Sequence, residues 1–355
     1  LPRGLPPSPG ARPPPVAPAR TAEPTRIAWL RHRFGAPPAP ALGIGDDAAL
    51  LPGDDALVQP GLDELDDLDA AVEGVHFRRD LCTLEAASAR AVEAAASDIA
   101  AMGARLEGPG TGLLLAWTLP PDFPDDDLRA LAEGAARAAA RLQTSIVGGN
   151  LTSGPALTLT TTGLGPASGA VLTRAGARPG DCVAVAGTPG LAGLGLRALL
   201  AGRGADAALR DAVRAWRAPQ AQLALGAPLV GRAHAAIDLS DGLAQDSAHL
   251  ARASGVAVGL DATALGALPA LQGPCAALGL DPCDAALTGG EDYLLCATGP
   301  AAVFHDPWRI VGAIEGGEGV WLAAPEGRRR IDADPALQGW DHFRDAASGV
   351  SDRGR

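Results

Sequence analysis

The chain has 355 residues, 47% of them hydrophobic and only 3% aromatic, enough for one large or two medium domains with cores of Ala, Leu and Val. All 29 of its cationic residues are Arg, which excludes a P-loop lysine, a Schiff-base lysine and the strand lysine of protein kinases. The formal net charge of −12 argues against nucleic acid as a partner and means that an anionic, phosphorylated substrate would need metal ions as intermediaries.

In chain order, residues 1–22 are dominated by Pro, Gly, Ala and Arg and read as a disordered tail without the apolar core of a secretory signal. A short helix is expected over 25–34. A Gly-rich turn with adjacent acids, Gly43-Ile44-Gly45-Asp46-Asp47-Ala48-Ala49, follows. Residues 56–58 read as a short strand and 59–66 as an acidic loop. An Ala-rich helix is expected over 84–102, ending at Gly103 and carrying Asp98 inside it. An apolar strand over 112–119 and a second helix over 125–143 come next. A strand over 145–147 then ends in a Gly148-Gly149-Asn150 turn, and a Thr-rich alternating strand spans 156–164.

A boundary is expected near 165–180, which is rich in Gly, Ala and Pro. Beyond it come a strand over 181–186, a Gly-rich loop over 187–195 and a helix over 196–201. The spacing of Gly190, Gly193 and Gly195 is wrong for a dinucleotide fingerprint. Strands are expected near 256–260 and 294–298, the second preceded by a turn, Thr288-Gly289-Gly290-Glu291-Asp292-Tyr293. The mixture of strands and helices predicts an α/β protein of two sandwich domains, 23–165 and 166–345, with a short tail over 346–355. Five cysteines, Cys82, Cys182, Cys275, Cys283 and Cys296, lack CxxC spacing and read as structural thiols in a reducing cytoplasm, not as a zinc site. No apolar stretch has the length and purity of a transmembrane helix, so no membrane partner is expected.

The stretch Ile237-Asp238-Leu239-Ser240-Asp241-Gly242-Leu243 lies where a buried strand turns into a helix. Side chains alternate on a strand, so Asp238 and Ser240 point the same way. Asp241 falls near the helix start, where free N–H groups favour negative charge. Capping alone explains Asp241 but leaves Asp238 without a counter-ion, and hard divalent cations such as Mg²⁺ would satisfy both. Asp46, Asp47, Asp69, Asp98, Asp238 and Asp241 each end or interrupt an apolar element. Such acids, several beside Gly, are what a multi-metal phosphate site requires.

Six motifs occur in order: Gly43 to Ala49, Val72-Glu73-Gly74-Val75-His76-Phe77, Ser97-Asp98-Ile99-Ala100-Ala101-Met102-Gly103-Ala104, Asp238 to Leu243, Gly289-Gly290-Glu291-Asp292-Tyr293 and Gly339-Trp340-Asp341-His342-Phe343. Together they resemble the thiamine-monophosphate kinase family, of the superfamily that includes aminoimidazole ribonucleotide synthetase, over residues 22–345. The resemblance implies a two-domain synthetase-like fold of mixed sheets covered by helices. It implies a homodimer built on the N-terminal domains, with ATP and several Mg²⁺ ions in a cleft. The reaction implied is transfer of the γ-phosphoryl group of ATP to thiamine monophosphate. On this resemblance Asp47, Asp69, Asp98, Asp238 and Asp241 would hold Mg²⁺, with Asp47, Asp238 and Asp241 central to catalysis. Ser240, Gly148, Gly149, Asn150 and Arg174 would meet the nucleotide. His76, Glu291 and Trp340 would contact the thiamine substrate.

Two positions depart from the family pattern. Asn150 stands where the family has an acid, and Asp67-Leu68-Asp69 stands where it has Ser/Thr-Thr-Asp. Asp67 either faces the cleft beside Asp69, restoring the charge lost at Asn150, or belongs to the acidic loop and faces water. The alternatives to the kinase are another ATP-dependent synthetase of the superfamily and a nucleotide-binding dimer with reduced or lost turnover.

Overall fold

The computed structural model describes residues 49–51, 63–107, 111–167, 171–334 and 337. The tails, the expected helix over 25–34, the expected strand over 56–58, the acids Asp46 and Asp47, and Trp340 lie outside the described residues.

Two sheets follow one another along the chain. The first contains β1 (Ala49–Leu51), β2 (Asp63–Val72), β3 (Gly112–Leu119), β4 (Ile146–Ser153) and β5 (Thr158–Ala167), in the order β1-β2-β5-β3-β4. Its pairs are antiparallel except β3 with β4. Two helices, α1 (Leu84–Ala101) and α2 (Asp125–Arg141), cover one face. The Thr83 side chain accepts the N–H of Ala86 and caps α1. Val92, Ala96 and Ile99 of α1 pack with Leu113, Ala135 and Ala138 in a core of small side chains that lets the two helices approach closely.

The second sheet contains β6 (Cys182–Ala186), β7 (Ala235–Leu239), β8 (Ala257–Asp261), β9 (Leu294–Gly299), β10 (Trp308–Glu315), β11 (Gly319–Ala324) and β12 (Gly327–Arg330), in the order β12-β11-β8-β10-β6-β9-β7. Only β8 and β11 pair in parallel. Its helices are α3 (Leu191–Leu200), α4 (Arg210–Arg217), α5 (Leu223–Gly226), α6 (Leu243–Ser254), α7 (Ala262–Gly266), α8 (Pro269–Leu278) and α9 (Pro282–Thr288). α1 packs against β2 and β5 on one side and against β7 and β9 on the other, so it joins the two sheets.

Several expected elements are corrected. The acidic loop expected over 59–66 is a strand from Asp63 onward, because the chain from Asp63 pairs residue by residue with β5. Asp67 is therefore buried and Leu68 is 65% exposed, the reverse of a solvated charge run. Gly148, Gly149 and Asn150 are not a turn; β4 runs through them to Ser153. A Cβ at Gly149 would lie 1.9 Å from the Leu115 carbonyl oxygen, so the parallel pairing with β3 tolerates only glycine there. The loop expected over 187–195 is already helix from Leu191, because Gly193 and Gly195 let α3 approach the 289–290 backbone and α4.

Candidate active site

β7 is buried along its whole length, and Ile237, Leu239 and Leu243 are fully enclosed. Burial of each such side chain contributes about 1.5–3 kcal/mol, which fixes the strand end and the start of α6. The turn Ser240–Gly242 between them carries the motif. Asp246, in the first turn of α6, closes it: its Oδ2 accepts the backbone N–H groups of Asp241 at 3.2 Å and Gly242 at 3.1 Å. Asp241 in turn accepts the Gln245 side-chain amide at 2.8 Å. The acid that binds the N–H groups of the turn is thus Asp246, not Asp241.

The Gly289–Tyr293 loop lies directly on this turn. Glu291 N–H donates to the Ser240 carbonyl at 2.7 Å, and Tyr293 N–H donates to that of Leu239 at 2.9 Å. A Cβ at Gly290 would come within 2.6 Å of the Ser240 oxygen, so the loop seats only because that position has no side chain. Glu291 and Tyr293 both have left-handed backbones, at φ +61° and +51°. Such conformations persist only where surrounding contacts over-determine them, and they concentrate at functional sites. Asp292, between them, is buried and accepts the N–H groups of Gly190 at 2.5 Å and Ala192 at 2.8 Å, capping α3. Burial pushes its carboxyl up to about 7.

The structure brings several expected residues into one neighbourhood. Tyr293 is half-buried, and its phenol is held well above the usual range, first by desolvation, then by the charges of Glu291 and Asp69, with Asp238 adding to them. Asp69 comes from the first sheet and Asp238 from the second. Asp246 is likewise raised by burial and by Asp241 and Asp238, and Arg174 opposes that shift. Arg174 and Arg90 are the cations named in these fields. His249, on α6, is pushed down to about 4 by burial and by Arg252 and Arg174, so it is neutral at pH 7.

The remaining expected residues sit on other elements of the fold. Asp98 is half-buried in the last turn of α1. His76 follows β2, and its Nδ1 accepts the Val72 N–H at 3.0 Å. Gly148, Gly149 and Asn150 are exposed on β4, the outer strand of the first sheet. Asp47 and Trp340 lie outside the described residues.

Arg90, Trp216 and Asp246 were not singled out by the sequence reading. An acid in the first helical turn after a Gly is a visible capping signal for Asp246. Arg90 and Trp216 gave none, because each is one charged or aromatic residue in an ordinary helical run.

Chemically, the site is an acidic junction between two sheets. The N-terminus of α3 already has a protein carboxylate on its N–H groups, that of Asp292, and Asp246 fills the N–H groups of Asp241 and Gly242 that lead into α6. The excess of hard oxygen donors around the turn suits a divalent cation. Among the described residues no group of three or more His, Cys, Asp and Glu is arranged to hold a metal by itself. A fit to Mg²⁺ rests on Asp69, Asp238 and Asp241 together with phosphate oxygens, the usual way Mg²⁺ is bound in phosphoryl-transfer sites.

Comparison with known proteins agrees with this geometry. Residues 45–167 match the family model described as AIR synthase related protein, N-terminal domain. A thiamine-monophosphate kinase of Mycobacterium tuberculosis is 36% identical over 278 residues, covering 77% of this chain and 79% of the relative. The enzyme of the same name from Escherichia coli K12 is 37% identical over 266 residues, covering 73% and 76%. A solved structure of AaThiL complexed with AMPPCP and TMP superposes with a TM-score of 0.80 at 28% identity, covering 91% of this chain and 97% of that one.

Proposed function

The chain belongs to the thiamine-monophosphate kinase family, and from that premise we propose that it transfers the γ-phosphoryl group of ATP to the phosphate of thiamine monophosphate, giving thiamine diphosphate and ADP. The observation that carries this reading is the seating of the Gly289–Tyr293 loop on the turn after Asp238, through Glu291 N–H to the Ser240 carbonyl at 2.7 Å and Tyr293 N–H to that of Leu239 at 2.9 Å, which brings Glu291 beside the acids of that turn. Phosphoryl transfer asks the protein mainly for positioning and charge neutralisation. The attacking oxygen belongs to a phosphate that is already ionised at pH 7, so no side chain need remove its proton.

In this reading Asp47, Asp69, Asp98, Asp238 and Asp241 are the acids assigned to Mg²⁺. The ion, when bound, would offset the repulsion between the two phosphate groups. Asp246 keeps the Ser240–Gly242 turn rigid, so that Asp238, Ser240 and Asp241 hold fixed relative positions. Ser240, Arg174, Gly148, Gly149 and Asn150 are assigned to the nucleotide, and His76, Glu291 and Trp340 to the thiamine moiety. Domains over 23–165 and 166–345 are proposed, a division supported by the change of sheet between Ala167 and Cys182.

A homodimer is proposed on the first sheet. Leu68 and Val147 are 65% and 57% exposed there, and Leu114, Ile146 and Leu151 are exposed as well. β4 has one strand neighbour among the described residues. An apolar sheet face beside an unpaired edge is a surface that a second copy would cover. A cytoplasmic location is proposed with it; among the described residues no helix is long and apolar enough to cross a membrane.

The direct test supplies purified protein with ATP, Mg²⁺ and thiamine monophosphate and looks for thiamine diphosphate. Folded protein that makes no product above a mock purification would overturn the assignment.

A further inference from the structure

Glu291 is held by two groups that the proposed reaction does not use. Arg90, on α1, donates from Nη2 to Glu291 Oε1 at 2.5 Å. Trp216, on α4, donates from its indole Nε1 to Glu291 Oε2 at 2.6 Å. The two donors are themselves joined: the Arg90 guanidinium lies 4.4 Å from the centre of the Trp216 ring, and its Nη1 donates to the Trp216 carbonyl. Arg90 is 5% exposed and Trp216 is 1% exposed. A buried guanidinium must be paired, and the Glu291 carboxylate lies opposite it.

The three groups come from three elements: α1 of the first layer, α4, and the loop before β9. They converge on a residue whose backbone is left-handed at φ +61°. Each carboxylate oxygen has two acceptor sites, and the clamp fills one on each. The Glu291 side chain remains 26% exposed, so the carboxylate stays reachable beside the turn that its backbone N–H joins. A carboxylate fixed in that way repels phosphate and attracts N–H groups and positive charge.

We propose that Arg90 and Trp216 are positioning residues that hold Glu291 oriented for the amine-bearing, cationic part of the acceptor, so that the phosphate end of that substrate is directed to the Mg²⁺ that the acids around Asp238 would hold. The inference rests on the reading that Glu291 meets the thiamine moiety. It adds the pair that acts through it and the source of the substrate's orientation.

The experiment has two readouts. In the first, ¹⁵N spectra of the indole N–H groups identify Trp216 by comparison with Trp216→Phe. The Trp216 signal should be strongly downfield in the wild type and move upfield in Glu291→Gln. A Trp216 signal that ignores Glu291→Gln overturns the clamp, whatever the enzyme acts on. In the second, steady-state kinetics measure Trp216→Phe and Arg90→Lys. Each should raise KM for thiamine monophosphate about tenfold, the loss of one hydrogen bond to a charged group, while KM for ATP stays within about twofold. On a Glu291→Gln background, Trp216→Phe should then add almost nothing. Equal effects on both substrates, or full effects on the Glu291→Gln background, would make the pair structural only and overturn the proposal. Loss of folding in both Trp216→Phe and Arg90→Lys would do the same. Wild-type protein that binds no thiamine monophosphate would instead overturn the kinase reading, with the spectra still deciding the clamp.

Discussion

Asp246 Oδ2 accepts the backbone N–H of Gly242 at 3.1 Å, from inside the helix that Gly242 begins. The turn that presents Asp238 and Asp241 is therefore held from behind by a carboxylate that the substrates do not need to touch. Replacing it with Ala leaves two N–H donors at the turn without their acceptor. Asp246→Ala is expected to lose about 1–3 kcal/mol of stability, the cost of a buried donor left unmade. Asp246→Asn keeps a carbonyl acceptor and removes a buried charge, so it should lose less. Urea unfolding of both variants checks the order; equal losses would show that the N–H contacts do not stabilise the turn.

Asp238→Asn and Asp241→Asn should each remove a charge from the acidic junction with little change in fold. Turnover should fall on the order of a hundredfold, as when one charge-stabilising contact is lost. The dependence on Mg²⁺ concentration should shift upward in both. Wild-type turnover at limiting Mg²⁺ in both variants would reduce the motif to a strand-to-helix turn.

Asp292 gives a pH signature. Burial raises its folded carboxyl to about 7 from an ordinary 3.8, so between these values the folded state binds more protons than the unfolded chain. Stability must then fall as pH rises from about 4 to about 7, and level off above. Glu93 is also raised by burial and slopes the same way, so the wild type alone cannot isolate one group. Asp292→Asn should give a shallower fall over this window when unfolding free energy is measured at half-unit steps. Parallel curves for the two proteins would remove Asp292 as a source of the slope.

Much of this could be read in the sequence, and the limits have physical causes. Helices with sharp punctuation, such as α1 between Thr83 and Gly103, were placed within a residue or so, because caps and glycines mark their ends. β2 was missed because Asp63, Glu64 and Asp66 look like a solvated run, and only pairing with β5 makes this stretch a strand. β4 was cut short because two glycines read as a turn, whereas here they allow close parallel pairing. Asp241 and Glu291 were visible as acids beside Gly, and Asp238 as an acid at the end of an apolar strand. Their holders, Asp246, Arg90 and Trp216, act through contacts of which two span 75 and 201 residues of chain, and no local pattern reports those.

Gly149 offers a test of that edge. Its φ is +150°, and an added Cβ would meet backbone of Leu115 rather than a movable side chain. Gly149→Ala should therefore push β4 off β3 and cost more than the roughly 1 kcal/mol of an ordinary glycine replacement. A melting temperature within about 2 °C of wild type would show that the strand can shift at little cost.

The last prediction concerns Asp67 and Asn150. Compensation between them would require a shared partner. Asp67 is buried on β2, but Asn150 is exposed on β4, and β5 and β3 lie between. Following the registers, Asn150 is level with Ala116, Thr160 and Ala70, three residues along from Asp67. Three strand spacings amount to about 14 Å, and three residues of strand to about 10 Å. At such a separation substitutions act independently, within about 0.5 kcal/mol. Asp67→Ser and Asn150→Asp should therefore be additive in both stability and Mg²⁺-dependent activity, with no rescue of the first by the second. Asp67→Ser alone should alter the Mg²⁺ requirement, because Asp67 shares a strand face with Asp69. Rescue in the double variant would mean that the two positions meet across a subunit interface, with β4 of one copy delivering Asn150 to the acidic face of the other.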